Sequence, residues 1–491
     1  MFRNPPRRPF APVLVALLLG STASGQPAGL GEVEFPTSCT EGAQARFDEG
    51  LILLHHMMYV QAEAAFQDAA EADPACAMAQ WGIAMANFHP MWPGRPSPAE
   101  TERGMAADRR LAAMDAGTPR EAAFIAAARA FYGKGDYPQR LAAWAEAQRA
   151  AFEGHPDDVD AGAFAALAAL ATAARDPNFT AQREAGALLE DLHDRAPNHP
   201  GVYHYAIHAY DHPPLAQLGL RFAEGYDAMA PDVPHALHRP SHIFVRLGRW
   251  QETADWNERS ASAALAQPMP DGAVSGHYAH AADYRIYAHL QMGETEEAER
   301  LLKELLAVPV LQGNFGSAYA LSAAPARLAL EGEDWARAAA LPEMPHGSVD
   351  WSAFPQARAN IWLAKGIGAA REGDAEAART AAAALREIEA EIEDGYWKAL
   401  AGAQAQSVEG LAALADGAHE EGLVALRAAA DTEDALGKSP VTPGHVMPAR
   451  ELLADAYASL GRTDEAREAH EAVLRESPGR RRASDALRRM D

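Results

Sequence analysis

The chain has 491 residues, 48% of them hydrophobic, and a formal net charge of −25. An acidic surface of this size repels phosphate backbones, which excludes nucleic acid as an expected partner. Helix formers, alanine above all, dominate the composition, and runs of β-branched residues are few, so the sequence predicts an all-α fold. Length alone suggests about three domains, but internal repeats can replace separate domains by one continuous array.

The first 25 residues have the layout of a secretory signal peptide. Basic residues precede an apolar run at 11–20 (APVLVALLLG), and small residues at 23–25 (ASG) provide a cleavage point. The apolar run is too short to remain as a membrane anchor. We therefore expect a periplasmic or secreted protein without a transmembrane anchor. The arginine pair at 7–8 leaves the Sec and twin-arginine export routes both open.

Cys39 and Cys76 are the only cysteines. In an exported protein, two cysteines more often pair than stay reduced, so we predict a disulfide between them. Closing this loop would stabilise the fold by roughly 4 kcal/mol in the chain-entropy model. The alternative is two buried thiols.

Two helical stripes follow, at 47–59 (FDEGLILLHHMMY) and 62–74 (AEAAFQDAAEADP). Small residues at Gly50 and Ala62, an aromatic at Phe66 and a closing proline resemble the tetratricopeptide repeat. In that pattern, small residues let two antiparallel helices approach, and the proline ends the second helix before the next pair stacks.

The same punctuation recurs further along the chain. Pro197 and Pro231 are one repeat length apart (231 − 197 = 34). Segments 53–92, 204–250 (beginning HYAIHAYDHPP) and 442–483 resemble a family of exported bacterial tetratricopeptide-repeat (TPR) proteins with a histidine-rich central segment, whose function is not established. This resemblance implies export and one continuous right-handed α-solenoid of stacked antiparallel helix pairs.

These patterns divide the chain into four parts. Residues 1–25 are the signal peptide and 26–40 an N-terminal linker. TPR-like repeats with a histidine-rich groove occupy 41–310, and further TPR-like repeats occupy 311–491. The concave groove of such a solenoid commonly takes a peptide or a protein partner.

Nine of the nineteen histidines lie between 204 and 289. Aligning the repeats at their closing prolines or turn glycines puts the histidines of three adjacent units in register. By resemblance to TPR proteins, the positions that these histidines occupy in the repeat face the groove. Histidines three or four residues apart also lie on the same face of a helix. The candidate metal ligands are His204, His208, His238, His242 and His280. The candidates for additional ligands, or for partners that orient these imidazoles, are Asp211, Asp283 and His235.

Neutral imidazole suits zinc, copper or iron, and a His-x3-His pair on a helix presents two ligands to one ion. Pro240 is expected to kink the helix between His238 and His242. The resembling family usually has methionine in place of Arg239 and frequently tryptophan in place of Tyr284. Arg239 puts a cation beside the pocket, which disfavours tight binding of a divalent ion.

Three functions remain open at this point. The first is binding of a transition metal in the groove. The second is a secreted protein- or peptide-binding scaffold with neither metal nor catalysis, in which the histidines pack against neighbouring tyrosines and Asp211. The third is a metal-dependent hydrolase or oxidase acting on a small molecule. No catalytic residue is assigned, and the sequence does not decide whether the protein is an enzyme.

The other histidines are placed outside this pocket. His55 and His89 take matching positions in their own repeats. These repeats lie far from the pocket along the solenoid, unless the superhelix curls back. The arginines at 480–482 are expected on a solvated helix face. Histidines expected at the surface or at helix caps are His155, His193, His199, His346, His419, His445 and His470.

Overall fold

The computed structural model describes residues 29–91, 95–267, 269 and 271–491. The signal peptide expected at 1–25 lies outside these residues. Within the described part, none of the helices has the length and apolar character needed to cross a membrane.

The predicted all-α fold is confirmed. Apart from an isolated β-bridge between Val274 and Leu311, the regular structure of the described residues is helical. The first helices are α1 (Glu41–His55), α2 (Tyr59–Ala72), α3 (Ala77–Ala86), α4 (Pro98–Leu111), α5 (Pro119–Phe131), α6 (Tyr137–Gly154), α7 (Val159–Ala171) and α8 (Thr180–Arg195). The central helices are α9 (Pro200–Tyr210), α10 (Ala216–Ala223), α11 (Tyr226–Met229), α12 (Pro234–His238), α13 (Ser241–Arg246), α14 (Trp250–Ala266), α15 (Gly276–Met292) and α16 (Thr295–Leu306). The last helices are α17 (Phe315–Glu331), α18 (Trp335–Ala339), the 3-10 turn Trp351–Ala353, α19 (Pro355–Arg371), α20 (Ala375–Glu391), α21 (Gly395–Ala415), α22 (His419–Leu436), α23 (Ala449–Ser459), α24 (Thr463–Glu476) and α25 (Arg481–Met490).

Several helices begin where the local sequence satisfies their backbone. Ser97 and Glu100 form a capping box at the start of α4, and Thr118 and Glu121 form one at the start of α5. Each box satisfies backbone N–H groups that have no partner inside the helix, and a proline at the first helical position already has the required φ. Local chemistry therefore sets these boundaries.

Consecutive helices pack against one another along the chain, as a solenoid of helix pairs requires. Phe66 of α2 lies between Gly50 of α1 and Gly82 of α3. A Cβ atom would lie 2.7 Å from the Phe66 ring at Gly50 and 2.3 Å from it at Gly82. Only glycine lets the three helices close around this aromatic ring, which is the physical basis of the predicted repeat pattern.

The predicted disulfide between Cys39 and Cys76 is present, with the two Cα atoms 4.9 Å apart. Cys39 precedes α1 and Cys76 is the N-cap residue of α3. The bond therefore fastens the segment before the first helix to the start of the second helix pair.

Two large apolar cores divide the described residues. Buried side chains between Val33 and Phe244 form the first core, and those between Ala261 and Ala466 form the second. The helices α12 to α15, which carry most of the central histidines, lie where the two cores meet. The central histidines, called the histidine cluster below, therefore form a polar layer between the two hydrophobic cores.

The predicted interruption at Pro240 is confirmed. Helix α12 ends at His238 and α13 begins at Ser241, with Pro240 as its N-cap residue. The missing proline N–H and the ring's clash with the preceding turn explain the break.

The superhelix curls back on itself. Helix α1 packs against α9, so that the backbone carbonyl of His55 accepts a hydrogen bond from His204 Nδ1 at 2.7 Å. From the other end of the chain, the segment 437–448 reaches the same region, where Lys438 Nζ lies 3.6 Å from Asp211 Oδ1. N-terminal, central and C-terminal parts of the chain thus enclose the histidine cluster.

The C-terminal end is held by a buried ion-pair cluster, and the expectation of a solvated basic face is wrong for Arg480. This side chain is fully buried, with Nε 2.5 Å from Glu451 Oε2 and Nη1 2.7 Å from Glu331 Oε1. Next to it, Trp250 Nε1 donates to the carbonyl of Gly479 at 3.0 Å. The arginines at 480–482 gave no sign of this burial in the sequence, because the carboxylates that pair with Arg480 lie far away along the chain.

Candidate metal centre

The five candidate ligands lie where the two apolar cores meet. Helix α9 presents His204 and His208, the broken α12–α13 segment presents His238 and His242, and α15 presents His280. Ring centroids are 4.9 Å apart for His204 and His208, and 4.2 Å apart for His238 and His280. The predicted register therefore does bring histidines from three successive units into one interior region.

Three of the five have the spacing of metal ligands. Ligand atoms of His238, His242 and His280 all lie within 4.8 Å of one another. His238 Nε2 and His242 Nε2 are 2.9 Å apart. Two nitrogen ligands of one tetrahedral zinc ion lie roughly 3.3 Å apart, so a small movement would admit an ion. His204 and His208 do not belong to this group.

Hydrogen bonds determine which nitrogen of each ring carries the proton. Asn257 Nδ2 donates to the carbonyl of Thr253, which leaves Asn257 Oδ1 to accept from His238 Nδ1 at 2.7 Å. Asp211 Oδ2 accepts from His242 Nδ1 at 2.9 Å. In the neutral rings, both Nε2 atoms therefore carry lone pairs, and these lone pairs face each other. His242 Nε2 is also within reach of two donors, Arg239 Nη1 at 3.2 Å and Tyr284 Oη at 3.4 Å.

A proton shared between the two rings is a poor substitute for a metal ion. Burial lowers the pKa of His238 to about 3. Burial, together with the nearby Arg239, lowers the pKa of His242 well below its usual value. Neither ring takes a second proton near neutral pH, so no N–H lies between the two Nε2 atoms, although Arg239 Nη1 and Tyr284 Oη can both donate to His242 Nε2.

His204 and His208 form a second pair with different chemistry. His204 Nδ1 donates to the carbonyl of His55, so its Nε2 is an acceptor. His208 Nδ1 accepts from Arg239 at 2.7 Å, so its Nε2 carries the proton. Both Nε2 atoms are buried and lack a hydrogen-bond partner among the described residues. The lone pair of His204 Nε2 and the N–H of His208 Nε2 suit a polar group that forms hydrogen bonds better than they suit a bare metal ion.

Asp211 is the carboxylate of the site. Besides His242, it accepts from Arg246 Nε at 2.9 Å, and Lys438 Nζ lies 3.6 Å away. Burial raises the pKa of Asp211, but Lys438 and Arg246 outweigh this effect and hold the pKa well below its usual value. Asp211 is therefore ionised and orients His242 from the side opposite to the facing lone pairs.

The two remaining candidates lie to either side of this arrangement. Asp283 is ion-paired with the buried Arg327. The ring of His235 lies 5.0 Å from that of His204 and 6.0 Å from that of His238, between the two histidine pairs. Asp283 thus serves an ion pair, whereas His235 lines the same interior region as the candidate ligands.

A second group with similar spacing lies between α1, α7 and α9, where ligand atoms of His55, Asp160 and His199 are within 4.8 Å of one another. Its hydrogen bonds are complementary. His55 Nε2 and His199 Nε2 donate to Asp160 Oδ1 at 2.9 and 3.1 Å, while Tyr205 Oη donates to His55 Nδ1 and Val202 N donates to His199 Nδ1. Every ring nitrogen is satisfied in the neutral form, so the hydrogen bonds of this group do not require a metal ion.

Sequence reasoning misplaced or missed several residues near the site. His199 caps α9, as one of the two expected roles requires, although it is buried. His470 is buried within α24 and is neither at the surface nor at a cap, so the expectation is wrong for it. No local pattern marks Asn257 or Lys438, because their roles arise from contacts between distant helices. The crowding of histidines was the one sequence signal that pointed to His277, whose ring lies beside that of His235.

Comparison with known proteins gives similarity to solved structures alone. No family model and no curated protein matches the chain. The chain is similar to the APC/C hetero-tetramer Cut9–Hcn1 at 12% identity, covering 93% of this chain and 77% of that chain, with a TM-score of 0.38. It is also similar to a Rap protein complexed with competence and sporulation factor, at 11% identity, covering 92% of this chain and 100% of that chain, with a TM-score of 0.39. For yeast Tom70 the identity is 11%, the coverage is 91% of this chain and 94% of that chain, and the TM-score is 0.34. Similarity this low supports no statement about partners or activity.

Proposed function

We propose that this protein binds a transition metal ion through His238, His242 and His280. The observation that carries the proposal is the pair of Nε2 lone pairs, which face each other at 2.9 Å. Each of these two imidazoles is oriented by an acceptor on its other nitrogen, which is how metal-binding histidines are commonly held. Zinc, copper and iron all accept imidazole ligands.

Hydrogen bonds satisfy only part of this pair. His242 Nε2 can accept from Arg239 Nη1 at 3.2 Å and from Tyr284 Oη at 3.4 Å, whereas His238 Nε2 faces His242 Nε2. Where the same fold uses histidines to join helices, an N–H meets an acceptor: His55 and His199 both donate to Asp160. Between His238 and His242 the neutral rings place acceptor against acceptor. Such a contact is unfavourable in a buried site unless a cation binds there.

The proposal includes export. It is supported by the signal-peptide layout at 1–25 and by the disulfide between Cys39 and Cys76, because disulfides persist in oxidising compartments. Metal binding would then take place in the periplasm or outside the cell.

Zinc titration of chelator-treated protein by calorimetry tests the proposal. We expect wild-type protein to bind one ion per chain, and the variants His242→Ala and His280→Ala to lose this binding. The variant Asn257→Ala should bind zinc about 10- to 100-fold more weakly, because His238 Nδ1–H loses the acceptor that orients the ring.

Two matched variants serve as controls. Asn360→Ala removes another buried asparagine, which donates to Ser322 Oγ at 3.1 Å. His419→Ala removes an exposed histidine. Both should bind zinc like the wild type. If wild-type protein takes up no zinc, or if His242→Ala binds it equally well, the histidines are packing residues and a peptide- or protein-binding groove is the function to pursue.

A further inference from the structure

Arg239 is a buried cation without a carboxylate of its own. Its side chain is 3% exposed, and its Nη2 is 3.8 Å from Asp211 Oδ2. Asp211 is already engaged by Arg246 at 2.9 Å and also faces Lys438. Three basic side chains thus share one carboxylate. Burial lowers the pKa of Lys438 to about 7, so even when this lysine is neutral two guanidinium charges face one carboxylate charge. A buried charge without a partner is costly. The charge balance calls for a further anion at this place.

The guanidinium of Arg239 lies between the two histidine pairs. Its Nη1 is 3.1 and 3.2 Å from the ring nitrogens of His242, and its Nη2 donates to His208 Nδ1. Its Nε is buried and has no hydrogen-bond partner among the described residues, as is true of His208 Nε2 and His204 Nε2. Two donors and one acceptor therefore remain to be satisfied around this guanidinium.

A metal ion bound to His242 would lie close to the positive charge of Arg239. The proposed ligand atom, His242 Nε2, is 3.2 Å from Arg239 Nη1. Two positive charges at such close range repel strongly in a buried site, but an anion between them replaces the repulsion by two attractions. A carboxylate fits this role because one oxygen can bind the metal while the other pairs with the guanidinium.

We propose that a small carboxylate binds between the metal ion and Arg239. The contact with the metal rests on the proposed function, whereas the contact with Arg239 does not. The His208 Nε2–H is a further donor for the carboxylate. The ligand is small, because α1, the central helices and the segment 437–448 enclose the site. Metal and carboxylate then bind cooperatively, each raising the affinity for the other by the same factor.

The test is the zinc affinity of chelator-treated protein, measured with and without millimolar formate in chloride-free buffer. For the wild type, formate should raise the zinc affinity at least about tenfold. For Arg239→Met, formate should have no effect, and the affinity without formate should exceed that of the wild type because the cation is gone. As a control, Arg259→Met removes a partly exposed arginine paired with Asp227 and should respond to formate like the wild type.

The outcomes separate the two proposals. Zinc binding that is independent of formate in the wild type overturns the carboxylate site and leaves the metal site standing. If zinc does not bind, but formate raises the melting temperature of the wild type and not of Arg239→Met, the carboxylate site stands without the metal. An equal rise in zinc affinity with chloride shows recognition of charge alone and overturns the carboxylate assignment. The effect of formate on the zinc affinity of the wild type tests the carboxylate site even if Arg239→Met fails to fold.

Discussion

At the residue scale, the side chains around the proposed metal ligands matter as much as the histidines themselves. Asn257 and Asp211 each accept a proton from the far nitrogen of a histidine, and this fixes the near nitrogen as an acceptor. Without these two acceptors, His238 and His242 would be free to arrange an N–H against a lone pair. In the proposed metal site, the two acceptors would therefore hold both Nε2 atoms ready for a cation.

Acid sensitivity follows from the buried histidines. Burial lowers the pKa of His55 and of His56 to about 4. Above pH 6.5, both rings are neutral in the folded and the unfolded chain. Between pH 6.5 and about 4, the unfolded chain binds protons that the folded chain excludes, so acid lowers the free energy of unfolding by up to about 1.4 kcal/mol per pH unit for each ring.

Urea denaturation of metal-free protein at a series of pH values measures this slope. The variant His56→Gln should be less stable at pH 7, because it loses the hydrogen bonds to Tyr226 and Leu30, but its stability should fall less steeply with acid. His419→Gln, at an exposed position, should keep the wild-type slope. A wild-type stability that does not change between pH 6.5 and 4 would contradict the prediction.

The sequence revealed some of these residues and not others. Crowding and helical spacing were enough to select the five candidate histidines, because residues three or four apart on one helix face are neighbours wherever the helix lies. They did not separate His238, His242 and His280 from His204 and His208, because that grouping depends on contacts between different helices. Spacing has no information about Asn257, which approaches His238 from another helix. Spacing also cannot distinguish a proposed ligand such as His242 from a hydrogen-bonded residue such as His55, because the difference lies in what the second ring nitrogen touches.

At the element scale, the broken helix α12–α13 positions two of the three proposed ligands. Pro240 ends the regular hydrogen bonding between His238 and His242, and the sequence predicted this break because proline acts locally. The capping boxes of α4 and α5 are equally local. The docking of the chain's end onto α15 and α17 is not, because it depends on Arg480 meeting carboxylates that are distant in sequence.

Arg480 gives an element-scale prediction. Replacing it by methionine leaves the buried Glu331 without its ion-pair partner and removes one partner of Glu451. We expect Arg480→Met to lower the free energy of unfolding by about 3 to 5 kcal/mol, as breaking a buried pair from one side does. Chemical denaturation gives the value directly.

The matched control lies on the same terminal helix. Arg488 is paired with Asp485 at the surface, with 70% of its side chain exposed. Arg488→Met should change the free energy of unfolding by no more than about 0.5 kcal/mol. Equal losses for Arg480→Met and Arg488→Met would show that the chain end is not held by its buried pair.

At the scale of the whole molecule, curvature turns a groove into an enclosed site. The repeat pattern predicted a stack of helix pairs, because each unit needs only its neighbours. It did not predict that α1 returns to α9 or that the segment 437–448 reaches Asp211, because small rotations between successive units add up over the chain. This closure buries the histidines, lowers their pKa values and leaves Arg239 without water to solvate its charge.

Anomalous diffraction from crystals of zinc-loaded protein tests the central claim most directly. We predict one zinc ion about 2.0 to 2.1 Å from His238 Nε2, His242 Nε2 and a ring nitrogen of His280. The Nδ1 atoms of His238 and His242 should remain on Asn257 and Asp211. An ion found at His55, Asp160 and His199, or on surface carboxylates alone, would contradict the account, as would crystals in which the three histidines bind no zinc.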